Sequence, residues 1–293
     1  MDLSIIIVNY NDRPHLDACL SSLQKHAPSA EHEVIVVDNA SSDGSRDWIA
    51  GAFPAVRLIE SPGNEGFSKA NNLGARESRG EFLLFLNTDT VVPSGALDGL
   101  LAKLKSDPSL GAAGPTLVHG PRSYQVSFGR KVNFAAQLWQ KLVLNRYFEV
   151  RQKSGGKDRS VGWLSAACLL CRRTAFEQAG GFDERFFIYF EDIDLCFRMR
   201  KAGWKLVHVP GVRVFHEGGA TTAPRAAASR FEYRKSQLYF YEKHNSRMSS
   251  RFLRLYLALN FRLLTAHGAF RGADGVRLKQ RYAELLRRGG GSR

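Results

Sequence analysis

Three apolar runs, "LSIIIV" from Leu3, "VIVV" from Val34 and "FLLFL" from Phe82, end at the polar residues Asn9, Asp38 and Asn87. Runs that are apolar at every position, rather than at alternate ones, suit strands covered on both faces, as in parallel sheets flanked by helices. Between them, "HLDACLSSLQKH" carries Leu16, Leu20 and Leu23 at helical spacing, "RDWIAGAF" follows the second strand, and "SKANNLGARESRG" follows a further strand, "AVRLIES". Strand then helix, three times in about the first 90 residues, predicts right-handed crossovers and a parallel sheet.

Ligands of such sheets bind beyond the carboxyl ends of strands. The residues to watch are therefore Asn9 and Tyr10, Asp38, and Asn87 to Asp89. A single Asp at a strand end is equally a turn former or a helix cap; acids closing two neighbouring strands point into one crevice. Farther along, the pattern predicts a helix in "GALDGLLAKLKSD" and a strand in "GAAGPTLV". The irregular stretch from Gly120 to Ser160 reads as a substrate-facing excursion. After it come a strand in "VGWLSAACLLCRR", a short helix in "TAFEQAGGFDERF" and two strands in "KLVHVPGVRVFHEGG". Past Pro224 the chain turns to basic helices.

A net charge of +14 on 293 residues raises nucleic acid or an anionic surface as a partner. Its location narrows the choice. From Arg225 onward there are 16 Lys+Arg against 4 Asp+Glu, leaving 26 against 24 in the rest. A nearly neutral sheet region with acids at its strand ends repels a phosphate backbone. That counts against the alternative reading of a basic nucleotide- or nucleic-acid-binding Rossmann-like protein without transferase activity. No G-x-G-x-x-G follows the first strand, as a dehydrogenase would need. The opening apolar run lacks a basic segment before it, so no signal peptide and a cytoplasmic location are expected. The stretch "FLRLYLALNFRLL" contains Arg254 and Arg262 and falls short of the roughly 20 apolar residues of a membrane span. The "CLLC" pair lies in an apolar run and is expected, like Cys19 and Cys196, to be a buried reduced thiol rather than a zinc or redox site.

Six segments, "SIIIVNYN", "VIVVDNASSDGS", "GNEGFSKANNLG", "FLNTDT", "FFIYFEDIDLCFRMRKAGW" and "VFHEGG", in this order and spacing, resemble an inverting family 2 glycosyltransferase of the GT-A fold, most similar to its bacterial rhamnosyltransferase-like branch. The resemblance implies an α/β, Rossmann-like, mostly parallel central sheet with flanking helices over residues 1–220. A basic helical extension over 221–293 completes the chain. It implies that Tyr10 packs on the nucleobase, that Asp38 accepts the pyrimidine N–H, and that Asn87 and Asp89 stand in the family's DxD positions. Asn87 departs from that pattern: it can hold a ribose hydroxyl but brings no charge, so Asp89 carries the anionic metal contact, with His216 as a further ligand of Mg²⁺ or Mn²⁺. Lys69 and Arg122 are candidate phosphate contacts.

Inverting transfer is an in-line displacement in which the departing diphosphate needs a cation and the incoming hydroxyl needs a base. By resemblance the base is Asp192, the second acid of the ED pair, with Glu191 beside it on the acceptor side. Asp194 is read as complementing the helix dipole. Trp163, Phe187, Tyr189 and Phe190 suit either sugar faces or the core. The implied reaction moves a sugar from a nucleotide-diphosphate donor, with dTDP-rhamnose expected, to a hydroxyl of a saccharide or lipid-linked acceptor in cell-envelope or exopolysaccharide synthesis. Phe252, Leu255, Tyr256, Leu259 and Leu263 share one face of a basic helix. That face either meets the anionic inner face of the plasma membrane or caps the catalytic domain.

Overall fold

The apolar runs form the centre of a sheet, and their alternation decides which face each residue serves. In the computed structural model, which describes residues 1–120, 123–130, 156–218, 226–266 and 272–287, the order opens with β1 (Leu3–Asn9), α1 (Arg13–Lys25), β2 (His32–Asp38), α2 (Ser45–Ala52), β3 (Arg57–Glu60), α3 (Phe67–Glu77) and β4 (Phe82–Asn87). It continues with β5 (Thr90–Val91), α4 (Ala96–Ser106), β6 (Leu110–Val118), β7 (Phe128–Gly129), β8 (Arg159–Ser160), β9 (Trp163–Leu164), β10 (Cys168–Arg172), α5 (Arg173–Gln178), α6 (Glu191–Lys201) and β11 (Lys205–His216). Among the described residues three helices follow: α7 (Ala226–His244), α8 (Arg247–Ala266) and α9 (Gly272–Arg287).

Among the described residues the main sheet runs β3-β2-β1-β4-β10-β6-β11-β5, with β8 beside β11. Strands β1 to β4 are parallel, as the continuous apolar runs require, whereas β10 is antiparallel to both β4 and β6. Ile5 and Ile7 pack with Leu16, Leu20 and Leu100 on one face, and Ile6 packs with Phe85, Phe176 and Leu195 on the other. Burying each such side chain stabilises by roughly 1.5–3 kcal/mol, which fixes the register of the strand ends.

Two expectations change. "VGWLSAACLLCRR" is two short strands, β9 and β10, because the segment between them turns to bring Ala166 and Ala167 to the end of β4. "KLVHVPGVRVFHEGG" is one strand, β11, whose pairing with β6 shifts register between Val209 and Arg213, around Pro210, and then resumes. All four cysteines are buried free thiols; burial pushes those of Cys19 and Cys196 up to about 12, where they are inert.

Candidate active site

Register places the strand-end residues side by side. Asn9 pairs with Asp38, and Val8 pairs with both Val37 and Asn87. Asp38 is fully buried: one carboxylate oxygen accepts from the Asn9 amide at 3.0 Å, the other from the Ser41 N–H at 2.9 Å. The Asn9 side-chain oxygen is buried with no partner among the described residues, an acceptor left open at this edge. Tyr10 follows directly, half-buried.

The last strand brings the fourth polar end to the same place. His216 pairs with Thr90, and its Nε2 lies 3.2 Å from Asp89 Oδ1 and 3.4 Å from the Asn87 amide nitrogen. Burial pushes the Asp89 carboxyl up, but the contact with His216 and the Gly218 N–H, 3.1 Å from Oδ2, outweigh it and hold the carboxyl below its usual range. Among the described residues no three His, Cys, Asp or Glu side chains are placed to hold a metal ion by themselves. One carboxylate and one imidazole this close therefore fit a divalent cation whose remaining ligands are phosphate oxygens and water, rather than a cation caged by protein alone.

Asp192 reaches this edge through β10. The Asn87 N–H donates to Ala167 O at 3.0 Å, and the neighbouring Ala166 N–H donates to Asp192 Oδ2 at 3.1 Å, while Ile193 N–H holds Oδ1 at 2.7 Å. Glu191 is buried, and its Oε2 has no partner among the described residues. Burial first, and then the charges of Asp192 and Asp194, push the Glu191 carboxyl well above its usual range. Burial also raises Asp192, against the main-chain N–H groups of Ala166, Ile193 and Asp192 itself, which favour its anion. Of the two carboxyls Glu191 is raised the more strongly, while the N–H groups on Asp192 favour its anion.

The turn that aims this pair is strained and braced. Tyr189 and Phe190 both adopt left-handed backbone, φ 70° and 67°, at about 1–3 kcal/mol each. Helix α7 holds them: the Tyr233 ring meets both edge-on at 5.6 and 5.2 Å, Phe240 packs on Phe190, and Ser236 Oγ donates to Ile188 O. Gly66 closes the other side, since a Cβ there would sit 2.6 Å from Phe187 O, and the Phe67 N–H donates to that oxygen at 2.7 Å. The Asn39 amide in turn donates to Gly66 O at 3.4 Å, joining the turn after Asp38 to the turn before Asp192.

Other expectations resolve differently. Asp194 is no mere dipole partner: fully buried, it meets Arg198 at 2.7 Å, Lys243 at 2.6 Å and His244 at 2.5 Å, so it ties α6 to α7. Phe190 belongs to the core, and Trp163, partly buried, packs against it. Lys69, on α3, is 44% exposed and paired with Glu65 a turn earlier. Arg122 lies outside the described residues. Three contributors carry no sequence signal. Gln125 holds His216 through both ends of its amide. His15 spans Asp12 at 2.5 Å and Glu217 at 3.1 Å, and Asp12 also accepts from Thr88 Oγ1 at 2.6 Å.

The sequence profile described as glycosyl transferase family 2 matches residues 4–180. The chain is 32% identical over 263 residues to N-acetylglucosaminyl-diphospho-decaprenol L-rhamnosyltransferase of Mycobacterium tuberculosis, covering 83% of this chain and 85% of that protein. It is 28% identical over 230 residues to rhamnosyltransferase WbbL of Escherichia coli, covering 72% and 82%. Its fold is similar to that of the mannosyltransferase PcManGT from Pyrobaculum calidifontis, solved with GDP-Man and Mn²⁺: TM-score 0.61 at 17% identity, over 97% of this chain and 84% of that one. With the mixed sheet, the acids at its strand ends and the ED pair in view, the chain belongs to glycosyl transferase family 2 and is a nucleotide-sugar-dependent glycosyltransferase.

Proposed function

We propose that the protein transfers a sugar with inversion from a nucleotide diphosphate to a hydroxyl of a lipid-linked saccharide, with Asp192 as general base. The observation that carries this reading is the shared edge: the Asp89–His216 pair and the Asp192 carboxylate are tied to successive residues of one β4–β10 junction. In this reading residues 1–220 are the catalytic unit and 221–293 the helical extension. Tyr10, Asp38 and Asn87 bind nucleobase and ribose. Asp89 and His216 hold Mg²⁺ or, given the imidazole, more favourably Mn²⁺. Such a cation, when bound, neutralises the departing diphosphate. Asp192 accepts the proton of the acceptor hydroxyl while neutral Glu191 leaves it the local anion. The names of the rhamnosyltransferase relatives support rhamnose as the sugar, with dTDP-rhamnose the expected donor, and the name of the mycobacterial one supports a polyprenyl-diphosphate saccharide as acceptor. Saturation-transfer NMR against a panel of nucleotide sugars tests the donor. One member of the panel should bind in Mn²⁺, and Asp89→Ala should weaken that binding at least tenfold; binding indifferent to both Mn²⁺ and Asp89 contradicts the assignment.

The extension supports a site of work at a membrane. Helix α8 has two apolar stripes. Leu253 and Leu257 face inward against Phe190, Phe240 and Tyr241. Met248, Phe252, Leu255, Leu259 and Leu263, on the other stripe, are 51–64% exposed, and the exposed Arg251 and Arg262 lie beside them. The face expected either to cap the domain or to meet a membrane is the more exposed of the two stripes, which supports the membrane reading. No described helix is long and apolar enough to cross a membrane. The reading is a cytoplasmic enzyme resting peripherally on the anionic inner leaflet, each Lys or Arg near the surface contributing about 1 kcal/mol. The full chain should sediment with phosphatidylglycerol vesicles at low salt. Leu255→Glu with Leu259→Glu should release it with no change in melting temperature, since both side chains already face solvent; sedimentation that survives the double substitution contradicts this role.

A further inference from the structure

Gln125 lies just beyond β6, where its own N–H donates to Leu117 O at 3.0 Å. Its side chain meets His216 twice: Nε2 donates to the His216 carbonyl oxygen at 2.7 Å, and Oε1 lies 2.6 Å from Nδ1. These contacts constrain each other. An amide has one donor end and one acceptor end; with the NH₂ committed to the carbonyl, the oxygen must face the imidazole, and only a protonated Nδ1 satisfies it. In the neutral ring Nε2 is then bare, with the Asn87 NH₂ at 3.4 Å as a donor toward it; only the doubly protonated ring donates from Nε2 to Asp89 Oδ1, 3.2 Å away, the contact that lowers that carboxyl. Gly218 makes the arrangement fit: at φ +74° a Cβ there would lie 2.8 Å from the Gln125 amide nitrogen.

We infer that Gln125 is a positioning residue that fixes His216 as its Nδ1–H tautomer and so keeps Nε2 a lone-pair donor aimed between Asn87 and Asp89. It acts through His216 rather than on substrate. A purely packing role would leave the tautomer indifferent to what replaces Gln125. The inference rests on the cation reading above only where metal affinity is concerned; the tautomer is a property of the chain alone.

The test uses the full-length, metal-free protein at roughly pH 9, above the ordinary imidazole range, with ¹⁵N shifts of His216 read in wild type, Gln125→Leu and Gln125→Glu. Wild type should carry the proton on Nδ1, Gln125→Leu should move it to Nε2, and Gln125→Glu, still an acceptor, should keep it on Nδ1. Mn²⁺ alone, titrated by electron paramagnetic resonance, should bind about 10–100-fold more weakly to Gln125→Leu, the usual cost of losing a group that orients a metal-ligating His, and within a few-fold of wild type to Gln125→Glu. An Nε2–H tautomer in wild type, or a Gln125→Leu protein with unchanged tautomer and Mn²⁺ affinity, overturns the inference. Wild type that keeps Nδ1–H yet binds no Mn²⁺ supports the tautomer assignment and overturns the cation reading instead.

Discussion

Asp192→Asn should lower the transfer rate by about 10²–10⁴, the usual contribution of a general base, and leave donor affinity within a few-fold of wild type. The amide is isosteric and still accepts one N–H from the main chain, but it cannot take the acceptor's proton. Separate measurement of kcat and donor binding distinguishes this loss from damage to the cleft. The pH profile adds a second signature. Because burial raises the Asp192 carboxyl, the acid limb of kcat/KM should fall at a pH above that of an ordinary aspartate, near 3.9, with activity lost as pH drops through it. With Glu191 neutral over this range, Glu191→Gln exchanges one uncharged group for another and should leave this limb in place. A profile flat to pH 4, or a donor affinity that collapses in Asp192→Asn, contradicts the division of roles.

Asp194→Leu should unfold the joint between the catalytic helix and the extension. The carboxylate is fully buried against Arg198, Lys243 and His244, and removing it leaves three cationic or potentially cationic groups facing one another. Breaking a buried pair by deleting one partner costs about 3–5 kcal/mol. Because Arg198 and Lys243 retain 19% and 21% exposure, the low end, ~3 kcal/mol, is expected. At roughly 2–4 °C per kcal/mol for a chain of this size that is a fall of ~6–12 °C in melting temperature. Although burial opposes it, the contacts with His244, Arg198 and Lys243 lower the folded carboxyl below its unfolded value. Its contribution is therefore complete above about pH 4 and fades only as pH falls through the lowered value. The deficit of the variant should persist across neutral pH and shrink only in acid. An unchanged melting temperature at neutral pH would contradict this account of the joint.

How legible these features were in the sequence depended on whether their partners were local. The parallel half of the sheet could be read from "SIIIVN", "VIVVD" and "FLLFLN", because strands buried on both faces leave no choice of alternation, and the acids at their ends inherit a common edge from the register. Strand β10 could not be oriented this way: an apolar run reads the same in either direction, and only its pairing with β4 and β6 shows it antiparallel. Three acids in the first turn of α6 fit a dipole argument equally well. The partners that distinguish Asp194 lie at Lys243 and His244, on a helix whose position no periodicity specifies. In α8, positions 252, 255, 259 and 263 and positions 253 and 257 form two stripes that one amphipathic reading merges. Gln125 sits in an irregular stretch where polar residues are unremarkable, and only the return of β11 gives it a partner.

The central claim is that one side of a single cleft serves the leaving diphosphate and the other the attacking hydroxyl. Opposed attack and departure have a stereochemical consequence. With the donor identified by the NMR panel and a saccharide acceptor present, the anomeric proton of the first-formed product should be followed in situ by ¹H NMR. The account predicts an anomeric configuration opposite to that of the donor, formed in wild type and absent in Asp192→Asn. A product that retains the donor's configuration, or that forms equally well without the Asp192 carboxylate, would contradict it.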